Sequence, residues 1–223
     1  MKYILNIETA TKNCSVAIAK NGTTILCKEI AEIGYSHVEK LHVFIEEILK
    51  ETQLTFKDLS AIAVSQGPGS YTGLRIGVSA AKGLCFALDI PLISVDTLLV
   101  LARKMTIQNG FIIPMIDARR MEVYSAIFDS KHNKIRNTEA QIIDSTSFSE
   151  VSETIYFIGD CNEKCKTVLT KNNFVFLDEI TFPSANEMSR ISFEKFTKNQ
   201  FEDVAYFEPF YLKDFLITTS KKN

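Results

Sequence analysis

The 223-residue chain has no tryptophan, three histidines, five prolines, and no apolar run that approaches a membrane span. A bilayer-crossing helix needs about 20 apolar residues in succession, so a helical span is excluded. The sequence opens on the alternating segment Tyr3-Ile4-Leu5-Asn6-Ile7 without a charged-then-apolar leader, and the expected location is the cytoplasm. Five cysteines, an odd number, do not make a disulfide framework. Cys14, Cys27 and Cys85 stand in apolar stretches and read as small core residues. Cys161 and Cys165 read as packing too, because a lone C-x3-C without nearby histidines is a weak metal signal. Basic excess is also missing: the net charge is −2, and only Lys221-Lys222 is locally basic. Autonomous nucleic-acid binders show a basic patch or stripe, so this chain is not expected to hold RNA strongly by itself. What remains is an ordinary globular composition, 46% hydrophobic and 23% charged, in a length that suits one large or two small domains.

The pattern is that of an α/β chain. Strands are expected at 3–8, 14–19 and 23–29, the last two joined across Asn21-Gly22, a strong hairpin pair. Ser36 with Glu39 three residues on forms a capping-box pattern, and Val38, Leu41, Ile45, Ile48 and Leu49 follow at helical spacing to about Glu51. A buried strand at 60–65, a helix from about Ser70 to Leu88 and a strand at 92–95 make a parallel strand–helix–strand unit. The second half repeats the opening. Ile7, Glu8, Ala17 and Ile18 recur 109 positions later as Ile116, Asp117, Ala126 and Ile127. The later segments give strands at 113–116, 123–128, 155–158 and 174–177, a helix from Asp160, and a helix capped by Ser184 with Glu187. We read an internal duplication into two lobes, residues 1–106 and 107–223.

The most informative segment is Gly67-Pro68-Gly69-Ser70-Tyr71-Thr72-Gly73-Leu74-Arg75-Ile76-Gly77. It is not a Walker A loop, because no Gly-Lys-Ser/Thr follows, and it does not fit G-x-G-x-x-G. Gly73, Gly77 and Gly83 each cost a helix interior about 1 kcal/mol relative to alanine. Gly73, Gly77 and Ala81 are spaced by four and form one small-residue stripe. That stripe suits close packing on the chain's own sheet, or a helix–helix contact between subunits; periodicity does not separate the two.

This run, together with Ile7-Glu8-Thr9-Ala10-Thr11, Ile116-Asp117-Ala118-Arg119, Glu122-Val123-Tyr124 and Pro209-Phe210-Tyr211-Leu212-Lys213, closely resembles the bacterial TsaB (YeaZ) family. The motifs span nearly the whole chain. The resemblance implies an actin/sugar-kinase/Hsp70-like fold of two RNase H-like α/β lobes. It implies a non-catalytic dimerisation subunit in making N6-threonylcarbamoyladenosine on tRNA beside the anticodon. The implied partners are a TsaD-type transferase and a TsaE-type ATPase, with a homodimer when alone and tRNA met only through the complex. Pairing through the first two helices places Val38, Leu41, Ile45, Tyr71, Gly73, Leu74, Gly77 and Ala81 at the expected interface. Glu8 is a departure, since the family usually has Asp there.

The residues bear on two enzyme-like readings. The related transferase carries V-N-H-x-x-x-H after the glycine-rich helix, and the matching stretch here is Val95 to Leu101. Thr97 and Leu101 stand at the two ligand positions, and leucine does not ligate a metal. His37 and His42 are five apart and do not share a helix face, and there is no H-E-x-x-H. The second reading is nucleotide binding, in which Glu8, Thr9, Thr11 and Asp117 would form a vestigial phosphate site. The turns Thr9-Ala10-Thr11 and Ala118-Arg119-Arg120 lack the glycine that close phosphate approach favours. ATP or ADP binding is therefore expected to be weak, and no cofactor or metal is expected to be required.

Overall fold

The computed structural model describes residues 1–31 and 37–212. Ser36 of the expected capping box and the basic pair Lys221-Lys222 lie outside them, as do the side chains of His37 and Val38. Two five-stranded mixed sheets form the body. The first holds β1 (Tyr3–Glu8), β2 (Cys14–Lys20), β3 (Thr23–Ile30), β4 (Leu59–Gly67) and β5 (Leu92–Asp96) in the order β3-β2-β1-β4-β5. The second holds β6 (Phe111–Asp117), β7 (Glu122–Phe128), β8 (Lys134–Ile142), β9 (Ile155–Gly159) and β10 (Phe174–Phe176) in the order β10-β9-β6-β7-β8. The two orders are the same topology. In each lobe the first strand pairs antiparallel with the second and parallel with the fourth. The offset repeat in the sequence is thus a repeat of fold.

Among the described residues the helices are α1 (His37–Glu51), α2 (Tyr71–Leu88), α3 (Thr97–Ala102), α4 (Asn162–Lys166) and α5 (Ala185–Thr197), with one 3-10 turn at Phe56–Asp58. Alternate strand residues point to opposite faces, so β1 sends Leu5 and Ile7 to one side and Ile4, Asn6 and Glu8 to the other. On the first side α1 and α2 bury Leu41, Ile45, Ile48, Val78, Ala81 and Cys85 against Leu5, Ile7, Val16 and Val64. On the other side α5 packs Ala185, Met188 and Ile191 against Ile4, Ala17, Ala61, Ala63, Ile93 and Val95. A helix from the far end of the chain therefore covers the first sheet. α3 does the reverse, placing Leu98, Leu101 and Ala102 with Ile112, Ile116, Ala126 and Phe128 of the second sheet.

Two elements escaped the sequence reading. α3 is TLLVLA, apolar all round and so without a period; its signal was Asp96, whose carboxylate accepts from Leu99 N at 3.0 Å as an N-cap. β8 is an edge strand with polar residues on both faces. Ser184 caps α5 by accepting from Asn186 N, but Glu187 does not close the expected box: its Oε1 accepts from Asn186 Nδ2 and its Oε2 lies 4.0 Å from Lys104 Nζ. Asp160, expected to open a helix, precedes α4 by two residues.

Candidate functional site

The glycine-rich helix meets the β1–β2 turn at close quarters. Ser70 caps α2 by accepting from Gly73 N at 3.2 Å, and Ser70 N donates to Ala10 O at 2.6 Å. Thr9 Oγ1 donates to Gly73 O at 2.8 Å. A Cβ on Gly73 would stand 2.1 Å from Thr9 O, and one on Gly77 would stand 2.3 Å from Thr9 Oγ1. The small-residue stripe is a seat for the chain's own turn. Of the expected interface residues, Gly73, Leu74, Gly77 and Ala81 of α2 and Leu41 and Ile45 of α1 are buried in this lobe. Large apolar side chains at helical spacing fill the core first, and the glycines shorten the distance to β1.

The remaining expected interface residues fare differently. Tyr71 is half-buried at the start of α2, its ring 4.9 Å from that of Tyr211 and 4.1 Å from the Arg75 guanidinium. Val38 lies in α1, its side chain outside the described residues. Among the residues that α1 and α2 turn outward are His42, Val43, Arg75, Ser79, Gly83 and Phe86. Phe86 is 85% exposed, and a Cβ on Gly83 would meet nothing within 4 Å. Between the two helices lies a groove of about 580 Å³ lined by His42, Arg75, Ile76, Ser79, Ala80, Gly83 and Leu84. These outward positions went unread because core and surface residues alternate along the helix, and only burial tells which side is which.

The second candidate site falls at the ends of β1 and β6. Glu8 is fully buried; its Oε1 accepts from Ala10 N at 2.6 Å. Its Oε2 has no hydrogen-bond partner of good geometry among the described residues, and neither has the buried Ser65 Oγ nearby. Burial pushes the Glu8 carboxyl up to about 7, against the downward pull of Ala10 N–H, the Ser65 hydroxyl and the Lys104 ammonium. Thr9 is equally buried, its hydroxyl committed to Gly73 O. Thr11 Oγ1 accepts from Asn13 N at 3.4 Å. Asp117, by contrast, is exposed: it accepts from Arg119 N at 3.0 Å, pairs with Lys164, and its own N–H donates to Asp160 Oδ1. Burial raises the Asp160 carboxyl; the Asp117 N–H that donates to it pulls it down, the Asp117 charge pushes it up again, and Lys12 from the first lobe pulls it down. Lys12 of the first turn is thus near enough to Asp160 for its charge to act there, whereas Glu8 and Thr9 are fully buried.

At the positions matched to metal ligands, Thr97 Oγ1 accepts from Gly67 N at 3.1 Å and Leu101 is fully buried among apolar side chains. Among the described residues no group of three or more His, Cys, Asp or Glu could hold a metal ion, and no helix is long and apolar enough to cross a membrane.

Two sheets of one strand order, each a five-stranded α/β unit, define an actin/sugar-kinase/Hsp70-like protein of two RNase H-like lobes. The structure of YeaZ from Pseudomonas aeruginosa superposes with a TM-score of 0.82 at 24% identity, over 95% of this chain and 100% of that one. A family model described as tRNA N6-adenosine threonylcarbamoyltransferase, TsaD, matches residues 30–215. The tRNA threonylcarbamoyladenosine biosynthesis protein TsaB of Escherichia coli is 31% identical over 220 residues, 95% of this chain and 94% of that protein. A tRNA N6-adenosine threonylcarbamoyltransferase of Bacillus anthracis is 43% identical over 107 residues, 41% of this chain and 31% of that protein. The chain belongs to the TsaB (YeaZ) family of tRNA threonylcarbamoyladenosine biosynthesis proteins.

Proposed function

We propose that this chain is the non-catalytic pairing subunit for a TsaD-type transferase that makes N6-threonylcarbamoyladenosine on tRNA. The docking surface is the outward ridge of α1 and α2, centred on Phe86. The observation that carries this reading is Phe86 itself, 85% exposed beside Gly83 on a helix whose opposite face is core. Leaving a phenyl ring in water forgoes about 2 kcal/mol of burial, which a partner's surface would recover. Gly83 beside it lets a facing helix approach closely. The non-catalytic part of the reading is supported by Leu101, buried in an apolar cluster at a matched ligand position, and by Thr97, whose hydroxyl accepts from Gly67 N.

In this reading the chain works in the cytoplasm, a TsaE-type ATPase joins the pair, and the same ridge serves a homodimer when the transferase is absent. Transfer RNA is met only through the complex, in line with the net charge of −2. The lobes divide near residue 106, between α3 and β6. ATP or ADP binding here is weak, since Glu8 and Thr9 are buried and bonded to their own chain. The deciding experiment is Phe86→Glu. We expect its melting temperature to match wild type while co-purification with a TsaD-type transferase falls at least tenfold. Undiminished binding by a folded Phe86→Glu protein refutes this docking surface.

A further inference from the structure

The groove between α1 and α2 carries His42 on one wall and Arg75 on the other, and the remaining side chains that line it are apolar or small. None of the lining residues is acidic. Arg75 is exposed, yet its guanidinium is held in place. It lies 4.1 Å from the centroid of the Tyr71 ring, and its Nε donates to the Tyr211 hydroxyl at 3.4 Å. Tyr211 is anchored in turn, its ring 4.9 Å from that of Tyr71 and the neighbouring Phe210 N donating to Gln66 O at 2.7 Å. Stacking and the Nε bond occupy one face and one edge of the guanidinium, and the two terminal nitrogens are left over. Among the described residues Arg75 makes no ion pair; the Glu208 charge acts on it only from farther away.

We propose that this groove takes an acidic side chain, Asp or Glu, borne on a helix of the TsaD-type transferase, its carboxylate forked onto the two terminal nitrogens of Arg75. A guanidinium presents parallel N–H groups that match the two oxygens of a carboxylate, and one already held in place loses little freedom on pairing. His42 on the α1 wall donates a ring N–H in every protonation state and offers a second contact. A carboxylate entering here meets no acidic wall, whereas a basic side chain would face Arg75 with like charge. Ser79 and Gly83 stand one turn apart on the α2 wall, and small residues so spaced admit the ridge of a facing helix. From Arg75 to Phe86 is about 16 Å of helix. A facing helix that runs beside α2 therefore carries its acid about three turns from the side chains that cover Phe86. The proposal rests on the pairing reading, because it names what the transferase brings to the ridge on which Phe86 stands.

Arg75→Lys makes the test direct, because it puts a primary amine where the guanidinium lies. A carbodiimide condenses an amine with a carboxylate in contact with it, and the water lost is taken up as the urea. In the complex of Arg75→Lys with the transferase we expect a cross-linked peptide that joins position 75 to an Asp or Glu on a transferase helix. Arg75→Ala should weaken transferase binding at least tenfold and lower its salt dependence without changing the melt. If the alanine variant melts low, the cross-link decides, since Arg75→Lys keeps a cation over Tyr71. A complex that forms without that cross-link overturns the proposal, as does a cross-link to a second copy of this chain. A wild-type chain that binds no transferase refutes the pairing reading and the groove's occupant with it. A wild-type chain that binds while Arg75→Ala binds equally well refutes only the occupant.

Discussion

Changing glycine to alanine at two positions of α2 should have opposite effects. At Gly73 an added Cβ would stand 2.1 Å from Thr9 O, where carbon and oxygen ordinarily keep about 3.3 Å or more. More than 1 Å of movement must be found, and the turn that would have to move is held by Thr9 Oγ1 on Gly73 O and by Ser70 N on Ala10 O. Overpacking of this kind costs about 1–3 kcal/mol, and a backbone oxygen as the obstacle puts it at the upper end. Alanine's better helix propensity returns about 1 kcal/mol, leaving Gly73→Ala destabilised by about 2 kcal/mol. At Gly83 nothing lies within 4 Å, so the same change keeps the whole gain of about 1 kcal/mol. For a chain of this length each kcal/mol moves the melting temperature by about 2–4 °C. Gly73→Ala should melt about 4–8 °C below wild type and Gly83→Ala about 2–4 °C above it, read by circular dichroism at 222 nm. Gly77→Leu, with Thr9 Oγ1 2.3 Å from its Cβ, should melt lower still, so it is no clean probe of partner binding. If Gly73→Ala proves as stable as Gly83→Ala, the seat between α2 and the β1–β2 turn does not constrain the fold, and the reasoning fails.

Glu8 supplies a pH dependence. Its carboxyl is raised from 4.5 to about 7, so between those values the unfolded chain has lost a proton that the folded chain keeps. Stability contributed by this group is therefore full below about pH 4.5 and falls by about 3 kcal/mol as pH rises through 7. Glu8→Gln should remove that slope, matching wild type at pH 5 and exceeding it at pH 8 in urea titrations; parallel curves for the two proteins would refute the assignment. A fragment of residues 1–106 lacks α5 and leaves Ile4, Ala17, Ala61, Ala63, Ile93 and Val95 uncovered. It should give no cooperative melt, and a sharp two-state transition would show that α5 is dispensable to the first sheet.

Much of this was legible in the residues. Strands with one buried face announce themselves by alternation, and the hairpin at Asn21-Gly22 sits where the turn chemistry put it, with Asn21 at φ 50° and Gly22 at φ 84°. The recurrence of Ile7-Glu8 as Ile116-Asp117 predicted a second sheet of the same order. Side-chain direction on α2 was harder. A stripe of glycines satisfies a sheet and a neighbouring subunit equally well, because both want a close backbone, and only the position of Thr9 decides. The same holds for Glu8 and Asp117. Their sequence contexts match, yet one is sealed with a raised carboxyl and the other lies in water beside Lys164.

The exchange of α3 and α5 between lobes was not legible at all, for a physical reason. Each helix presents an apolar face, and any apolar face satisfies the burial that periodicity records. Here α5 gives its face to the first sheet, and Lys195 Nζ reaches Ser94 O at 2.7 Å while Asn13 Nδ2 reaches Pro183 O at 2.9 Å. α3 gives its face to the second sheet, and Leu99 packs against both clusters. The surface between the lobes is thereby closed with apolar side chains, and a hinge opening wide enough for a nucleotide would carry them into water. Each large side chain so exposed costs about 1.5–3 kcal/mol, which a weakly held ligand does not return. With the interior committed to joining the lobes, the outer ridge of α1 and α2, where Phe86 stands uncovered, is the surface we propose for the partner.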